Sequence, residues 1–258
     1  MTDILLTVEA LKFLNEEVFE LTLTSPSPLP KILAGQFVHV AIDEPSMPLR
    51  RPFCIAKWDS FSITLIIAVV GEGTRKLSTL HKGDTLLSTL PLGNGFQIPP
   101  RHKKVALVGG GVGCAPLLGV YSNYPDKEIR AYLGFANKQK ALFEQDFKSA
   151  YRHVTVSTDD GSYGFSGYVT DAFLADYHSG YRPDIILTCG SDNMIKAVAA
   201  MVKELKIPTL WSGEIRMGCG VGACLVCACA VREGGEVKNR RACMDGPVFN
   251  LEDVVNFP

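Results

Sequence analysis

Val105-Ala106-Leu107-Val108-Gly109-Gly110-Gly111-Val112-Gly113 is the stretch on which the fold turns. Four apolar residues in a row suit a strand buried on both faces, and the glycines after them force a tight turn. A helix opens near Ala115-Pro116, with proline where a helix start favours it. The apolar run from Val105 to Tyr121 is short for a membrane span and is broken by five glycines and Pro116, so strand, turn and helix fit it better. Backbone amides freed at such a turn, at the positive end of a helix, can hold a pyrophosphate. Gly109, Gly110, Gly111 and Gly113 are therefore candidate nucleotide-binding residues. The G-x-G-x-x-G pattern is not met, because Cys114 follows Gly113, and a purely structural turn remains a competing reading.

Downstream, apolar runs at 129–134, 154–157, 185–188 and 208–211 alternate with helical patterns at 116–121, 141–151, 168–177 and 193–205. That alternation predicts a doubly wound parallel sheet, in which ligands sit beyond the carboxyl ends of the strands. Thr188-Cys189-Gly190-Ser191-Asp192-Asn193-Met194 ends one of those strands and begins a helix. Cys189 and Gly190 thus become site candidates, while Ser191 or Asp192 as a plain helix N-cap is a reading compatible with the same loop.

Upstream the pattern differs. Alternating segments at 5–10, 18–24, 36–41, 62–69 and 85–89, punctuated by Pro, Gly and Asp, predict a small antiparallel barrel with one short helix at 74–80. Ile98-Pro99-Pro100-Arg101-His102-Lys103-Lys104 is a proline- and charge-rich joint between the two regions. The fold class expected is mixed: an antiparallel β-barrel domain over 1–100, an α/β parallel-sheet nucleotide domain over 101–212, and a small cysteine-rich domain over 213–258.

That last segment contains Met217-Gly218-Cys219-Gly220-Val221-Gly222-Ala223-Cys224-Leu225-Val226-Cys227, with Cys243 sixteen residues on. C-x4-C-x2-C…C is the spacing of plant-type [2Fe–2S] sites. Four thiolates must converge on two irons, and the interposed glycines let the backbone point N–H groups at sulfur. Cys219, Cys224, Cys227 and Cys243 are the candidate iron ligands. A structural zinc site normally takes two short knuckles of paired cysteines, whereas Cys243 stands alone. Cys229 reads as a small buried hydrophobe, since using it would break the x2 spacing.

Composition excludes several classes. The 258 residues are 47% hydrophobic and 21% charged with a net charge of −1, which offers no electrostatic footprint for nucleic acid or an anionic membrane. Met1-Thr2-Asp3-Ile4 lacks the basic and apolar regions of a secretion signal. Eight cysteines without such a signal point to a cytoplasmic metal site rather than a disulfide framework.

Met47-Pro48-Leu49-Arg50-Arg51-Pro52-Phe53-Cys54-Ile55-Ala56 sets two arginines just before a strand of the expected barrel, and the planar fork of arginine suits a flavin phosphate. A solvated loop is the bland alternative. Together with Gly71-Glu72-Gly73-Thr74, Pro91-Leu92-Gly93-Asn94-Gly95-Phe96, Gly109–Gly113, Thr158-Asp159-Asp160-Gly161-Ser162 and Cys189-Gly190, this stretch resembles the ferredoxin–NADP reductase superfamily. The cysteine segment and Cys243-Met244-Asp245-Gly246-Pro247-Val248-Phe249 narrow the resemblance to the electron-transfer subunits of NAD-linked, two-subunit (class 1B) dihydroorotate dehydrogenases.

The resemblance implies FAD, a [2Fe–2S] cluster and NAD as substrate. It maps the flavin site onto Arg51, Pro52, Phe53, Cys54, the backbone of Ile66, Ile67 and Ala68, and Gly73 and Thr74, and it sets Cys189 beside the nicotinamide. Two departures stand out: Cys54 replaces a serine, and Ser191 replaces a proline after Cys189-Gly190. The implied role is to pass electrons from dihydroorotate, through the FMN of a catalytic partner, to cluster, FAD and NAD+ in pyrimidine biosynthesis, as two such subunits with two catalytic ones. Flavin and cluster subunits of NADH-dependent ferredoxin–NADP oxidoreductases or sulfide dehydrogenases are the nearest alternative, and a zinc- and nucleotide-binding regulator is the alternative of another class. Lys138 after the second sheet strand leaves NAD or NADP open.

Overall fold

The computed structural model describes residues 3–255; residues 1, 2 and 256–258, at the outer ends of the expected segments, lie outside the described residues. Strands β1 (Asp3–Phe13), β2 (Val18–Thr24), β3 (Phe37–Val40), β4 (Arg51–Trp58), β5 (Ser62–Ala68) and β6 (Thr85–Leu92) close a barrel in the order β1-β2-β5-β4-β3-β6. Every pairing is antiparallel. Alternation along the strands sends Leu6, Val8, Phe19, Leu21, Leu23, Val38, Val40 and Leu65 inward, all buried. Each such side chain contributes roughly 1.5–3 kcal/mol by leaving water. Closure also removes exposed strand edges. Helix α1 (Glu72–Leu77), between β5 and β6, drops Leu77 into the same core.

The second layer holds β7 (Lys104–Gly110), β8 (Glu128–Phe135), β9 (His153–Thr158), β10 (Phe165–Ser166), β11 (Ile185–Cys189) and β12 (Thr209–Ser212), parallel in the order β10-β9-β8-β7-β11-β12. Helices α2 (Ala115–Leu118), α3 (Val120–Asn123), α4 (Glu144–Ala150), α5 (Val169–His178) and α6 (Asp192–Leu205) connect them. The apolar run of β7 is explained by burial on both faces. Val105 and Leu107 pack with Leu117 and Phe147 on the barrel side, while Ala106 and Val108 pack with Phe173 and Val198 on the other. A hairpin, β13 (Ala228–Glu233) and β14 (Glu236–Arg241), follows, and β15 (Val248–Asn250) returns to pair antiparallel with β12.

Three details differ from expectation. β4 begins at Arg51 itself, so that arginine is the first strand residue rather than part of a preceding loop. The helix expected at 116–121 is split into α2 and α3 at Gly119, where a Cβ would lie 2.2 Å from the ring of Trp58; the barrel's tryptophan occupies the space a longer side chain would need. The three-residue β15 is too short to carry a periodicity. No helix among the described residues is long and apolar enough to cross a membrane.

Candidate functional site

The strand order turns outward in both directions from β7, whose neighbours are β8 and β11. Crevices at such a switch point are where open parallel sheets bind ligands. In register, Cys189 at the end of β11 stands beside Gly109 of β7. A cavity of about 760 Å3 opens there, lined by Gly110, Gly111, Gly113, Cys189 and Gly190 among others. The two glycine loops touch through backbone: a Cβ on Gly113 would lie 2.7 Å from Gly190 Cα, so this contact tolerates no side chain. Gly110, Gly111, Gly113, Cys189 and Gly190 are thus brought together around one crevice, while Gly109 packs against Cys114 and Leu117.

Glu214 and Tyr168 escaped the sequence reading as site residues, whereas Asp159 belongs to a stretch quoted for the resemblance. Glu214 and Asp159 line the cavity, and the exposed ring of Tyr168 offers an aromatic face at its edge. Burial, reinforced by Asp160, raises the Asp159 carboxyl above the usual range. Lys138, left open as a phosphate partner, instead lies over the ring of Tyr163 at 5.8 Å, and it is Lys140 that lines the cavity. Cys189 is buried, and burial with the charge of Glu214 pushes its thiol up to about 12, against a hydrogen bond from Ser212. It is therefore a neutral thiol at physiological pH, able to pack and to hydrogen-bond rather than to attack. Ser212 and Glu214 come from β12 and just beyond it, and no local signal ties them to Cys189.

The flavin candidates gather on the barrel. Arg51, at the start of β4, lies over the first turn of α1: a Cβ on Gly73 would sit 3.2 Å from Arg51 Nε and 2.8 Å from Ile42. A guanidinium beside a bare backbone turn is a fitting cradle for a phosphate. The Arg51 guanidinium donates to the Leu49 carbonyl. Thr74 Oγ1 accepts from Val70 N (3.0 Å) and Gly71 N (3.1 Å) and donates to Gly71 O, so the hydroxyl shapes this turn. Pro52 stands opposite His39, and Phe53 packs against the barrel core. Ile66 and Ala68 face the nucleotide domain while Ile67 points into the barrel, leaving Ile67 only its backbone to offer a ligand. The Cys54 thiol contacts Gln36 O at 3.5 Å, and burial, then Cys189, raise it well above the ordinary thiol range. Cys54 of the barrel therefore lies within electrostatic reach of Cys189 at the end of β11.

The four cluster cysteines fall into two pairs. Cys219 N–H points at Cys224 Sγ (3.3 Å), and the N–H groups of Val221, Ala223 and Cys224 point at Cys219 Sγ at 3.5, 3.3 and 3.4 Å. Those donors, with Val221 foremost, hold the Cys219 thiol down to about 6. Cys227 and Cys243 stand with sulfurs 3.3 Å apart, and burial, then Cys227, pushes Cys243 up to about 12. Among the described residues no set of three or more metal-ligating side chains closes on one point. Two thiol pairs, one of them ringed by N–H donors, are the donor set a two-iron cluster takes. Cys229 is buried on β13 opposite Arg240, in the apolar core that also holds Cys227 and Cys243.

This unit is fastened to the barrel. Asn94 Nδ2 donates to Asp245 O (3.1 Å) and Val248 O (2.9 Å), and its Oδ1 accepts from Val248 N (3.2 Å). Asn94 N adds a bond to Gly246 O at 2.7 Å.

Residues 214–255 match the family model of the iron–sulfur cluster binding domain of dihydroorotate dehydrogenase B, and residues 107–200 match the oxidoreductase NAD-binding domain. A dihydroorotate dehydrogenase B (NAD(+)) electron transfer subunit of Desulforamulus reducens is 39% identical over 227 residues, covering 86% of each chain. One from Streptococcus mutans is 36% identical over 256 residues, covering 97% of each. The chain belongs to this family of electron-transfer subunits. Among solved structures, an NADH-dependent reduced ferredoxin–NADP oxidoreductase described for flavin-based electron bifurcation superposes with a TM-score of 0.85 at 29% identity, covering 98% of this chain and 90% of that one. As a dihydroorotate dehydrogenase B electron-transfer subunit by family, the chain has the barrel, parallel sheet and cysteine unit in the order its sequence suggested.

Proposed function

We propose that this subunit relays electrons between a dihydroorotate-oxidising partner and NAD+, with FAD on its barrel and a [2Fe–2S] cluster on its C-terminal unit. The observation that carries the reading is spatial. The Arg51–Gly73 turn and the Gly113–Gly190 crevice are linked through Cys54 and Cys189, and the barrel meets the loop of one thiol pair through His39 and Gly220. When bound, these groups supply hydride exchange at the nicotinamide, conversion of two electrons to single ones at the flavin, and single-electron transfer at the cluster.

The chain's residues do the positioning. Arg51 holds the flavin phosphates, the turn at Gly73 admits them closely, and the amides of the 109–113 loop hold the pyrophosphate of NAD. Cys189, kept neutral, packs where the nicotinamide meets the flavin. Cys219, Cys224, Cys227 and Cys243 would hold the cluster.

The partner docks where the cluster comes nearest to solvent. Val221, Leu225, Val226 and Met244 are 48%, 61%, 58% and 40% exposed around the ligand loop. Apolar side chains crowded around an electron-carrying site favour a protein partner that covers them. The occupant is the FMN-containing catalytic subunit, in a two-plus-two assembly of the cytoplasm; light scattering of the co-purified complex checks the stoichiometry.

The deciding experiment is a visible spectrum of the chain co-expressed with a catalytic subunit, before and after anaerobic NADH. Flavin and iron–sulfur bands that bleach, with dihydroorotate-dependent reduction of NAD+, support the reading. Bleaching without that activity moves the chain to another oxidoreductase complex, and a colourless preparation holding neither iron nor flavin overturns the relay.

A further inference from the structure

The face of β3 that turns away from the barrel interior carries Phe37 and His39. Val38 and Val40 fill the barrel core, whereas Phe37 belongs to the core that contains Cys227, Cys229 and Cys243. His39 is 2% exposed, and its Nε2 is buried without a hydrogen-bond partner. A neutral polar group in that state costs free energy, so an apolar residue would serve plain packing better. The ring lies against the ligand loop. A Cβ on Gly220 would fall 2.4 Å from His39 Nδ1, 2.8 Å from Cε1 and 3.1 Å from Cγ. Gly220 also has φ +71°, so both the backbone conformation and the imidazole demand glycine immediately after Cys219. On the other side, His39 pairs in register with Pro52 of the candidate flavin strand. The imidazole is thus wedged between the strand assigned to the flavin and the loop assigned to the cluster.

We propose that His39 is a positioning residue of the electron path, an imidazole that seats the Cys219–Cys224 loop on the flavin barrel and keeps Nε2 for a hydrogen bond that the protein chain itself does not supply. This rests on the relay reading above. The Asn94 bonds hold the segment after Cys243, but nothing in them fixes the loop of the other thiol pair; His39 does. Burial and the neighbouring guanidiniums of Arg50 and Arg51 lower its pKa, against an opposing hydrogen bond to the Arg50 backbone, which keeps the ring uncharged beside the loop. A seat of this kind sets the distance and orientation across which electrons pass, and small displacements at reacting centres carry large rate costs.

The test uses the complete protein with FAD and cluster bound, comparing wild type, His39→Ala and His39→Phe. Iron and flavin content, the electron paramagnetic resonance spectrum of the reduced cluster, and separate stopped-flow rates for flavin bleaching and cluster reduction after NADH are recorded. His39→Ala is expected to alter the resonance line shape and slow cluster reduction about tenfold, below the roughly hundredfold cost of a 1 Å misplacement, with flavin bleaching unchanged. His39→Phe fills the seat without Nε2, so it should keep the cluster and slow the same step by a smaller factor. If His39→Ala sheds iron, His39→Phe decides alone. Wild-type spectra and rates in His39→Phe overturn the proposal, whatever His39→Ala does. A wild-type protein lacking iron or flavin would instead overturn the relay reading, whatever the variants do.

Discussion

Replacing Asn94 with alanine should loosen the cluster unit while leaving the barrel intact. The side chain makes three hydrogen bonds to the segment after Cys243: to Asp245 O, to Val248 O and from Val248 N. Each is worth about 0.5–1.5 kcal/mol net, so the loss is about 3 kcal/mol. At about 1.4 kcal/mol per decade, that raises local opening by roughly a hundredfold. The backbone bond from Asn94 N to Gly246 O survives the substitution, so the tether weakens rather than vanishes. Opening here frees the turn that carries Cys243 into the cluster and should be read as cluster loss. The assay is decay of the visible iron–sulfur band with an iron chelator in mild urea, with flavin fluorescence followed in parallel. Expected is a rate on the order of a hundred times that of wild type with FAD retained. Asn94→Asp keeps the shape but turns a carboxylate toward two carbonyl oxygens, so it should be at least as harmful as alanine. Refutation would be a less than threefold change, or flavin and iron leaving together.

Cys227→Ser should abolish the cluster while FAD stays bound, and Cys229→Ser should leave iron content unchanged, as measured by iron analysis and absorption; the reverse outcome would overturn the assignment of ligands. Arg51→Ala removes a charged donor beside Gly73 and should weaken FAD binding by about ten- to a hundredfold, the value of a charged hydrogen bond; the test is flavin released on gel filtration. Asp159 lines the nucleotide cavity, where a carboxylate accepts from a ribose hydroxyl and repels a 2′-phosphate. Asp159→Ser should therefore shift kcat/KM toward NADP by about tenfold or more, since like charges in contact cost several kcal/mol. Asp3, hydrogen-bonded and paired to Arg50, has its carboxyl held down to about 2 from 3.8. Its stabilisation is present above pH 3.8 and disappears as pH falls toward 2. Because Asp3 is 42% exposed, the pair is worth under about 1 kcal/mol, measurable as a smaller Tm difference between wild type and Asp3→Asn at pH 2.5 than at pH 6.

Much of this architecture could be read from periodicity alone. Alternation at 18–24 and the unbroken run at 105–108 correspond to β2 and β7 because each pattern states how many faces are buried. The thiol spacing was equally legible, since a loop of four residues between Cys219 and Cys224 fixes which N–H groups can reach which sulfur. What stayed hidden depends on contacts distant in sequence. Nothing near Gly119 announces the ring of Trp58, and nothing near Cys189 announces Ser212 or Glu214. The Asn94 bonds span about 150 residues, and the wedge of His39 against Gly220 spans about 180. Such pairs exist only once the barrel and the cysteine unit have packed, so no local pattern encodes them.

The eight free cysteines show how packing divides one residue type among several tasks. Cys54, Cys114 and Cys189 lie where barrel and parallel sheet meet, and burial raises all three thiols. A thiol that stays protonated is a poor nucleophile, because attack needs the thiolate. Cys219 meets the opposite surroundings: it is partly exposed, with three backbone N–H groups aimed at its sulfur. The backbone donors that favour a thiolate thus gather at one of the two regions that hold cysteines. The glycines that allow those N–H groups to turn inward do as much to direct the metal as the cysteines that bind it. Changing the Gly220 or Gly222 backbone should divert cluster assembly even with every ligand in place.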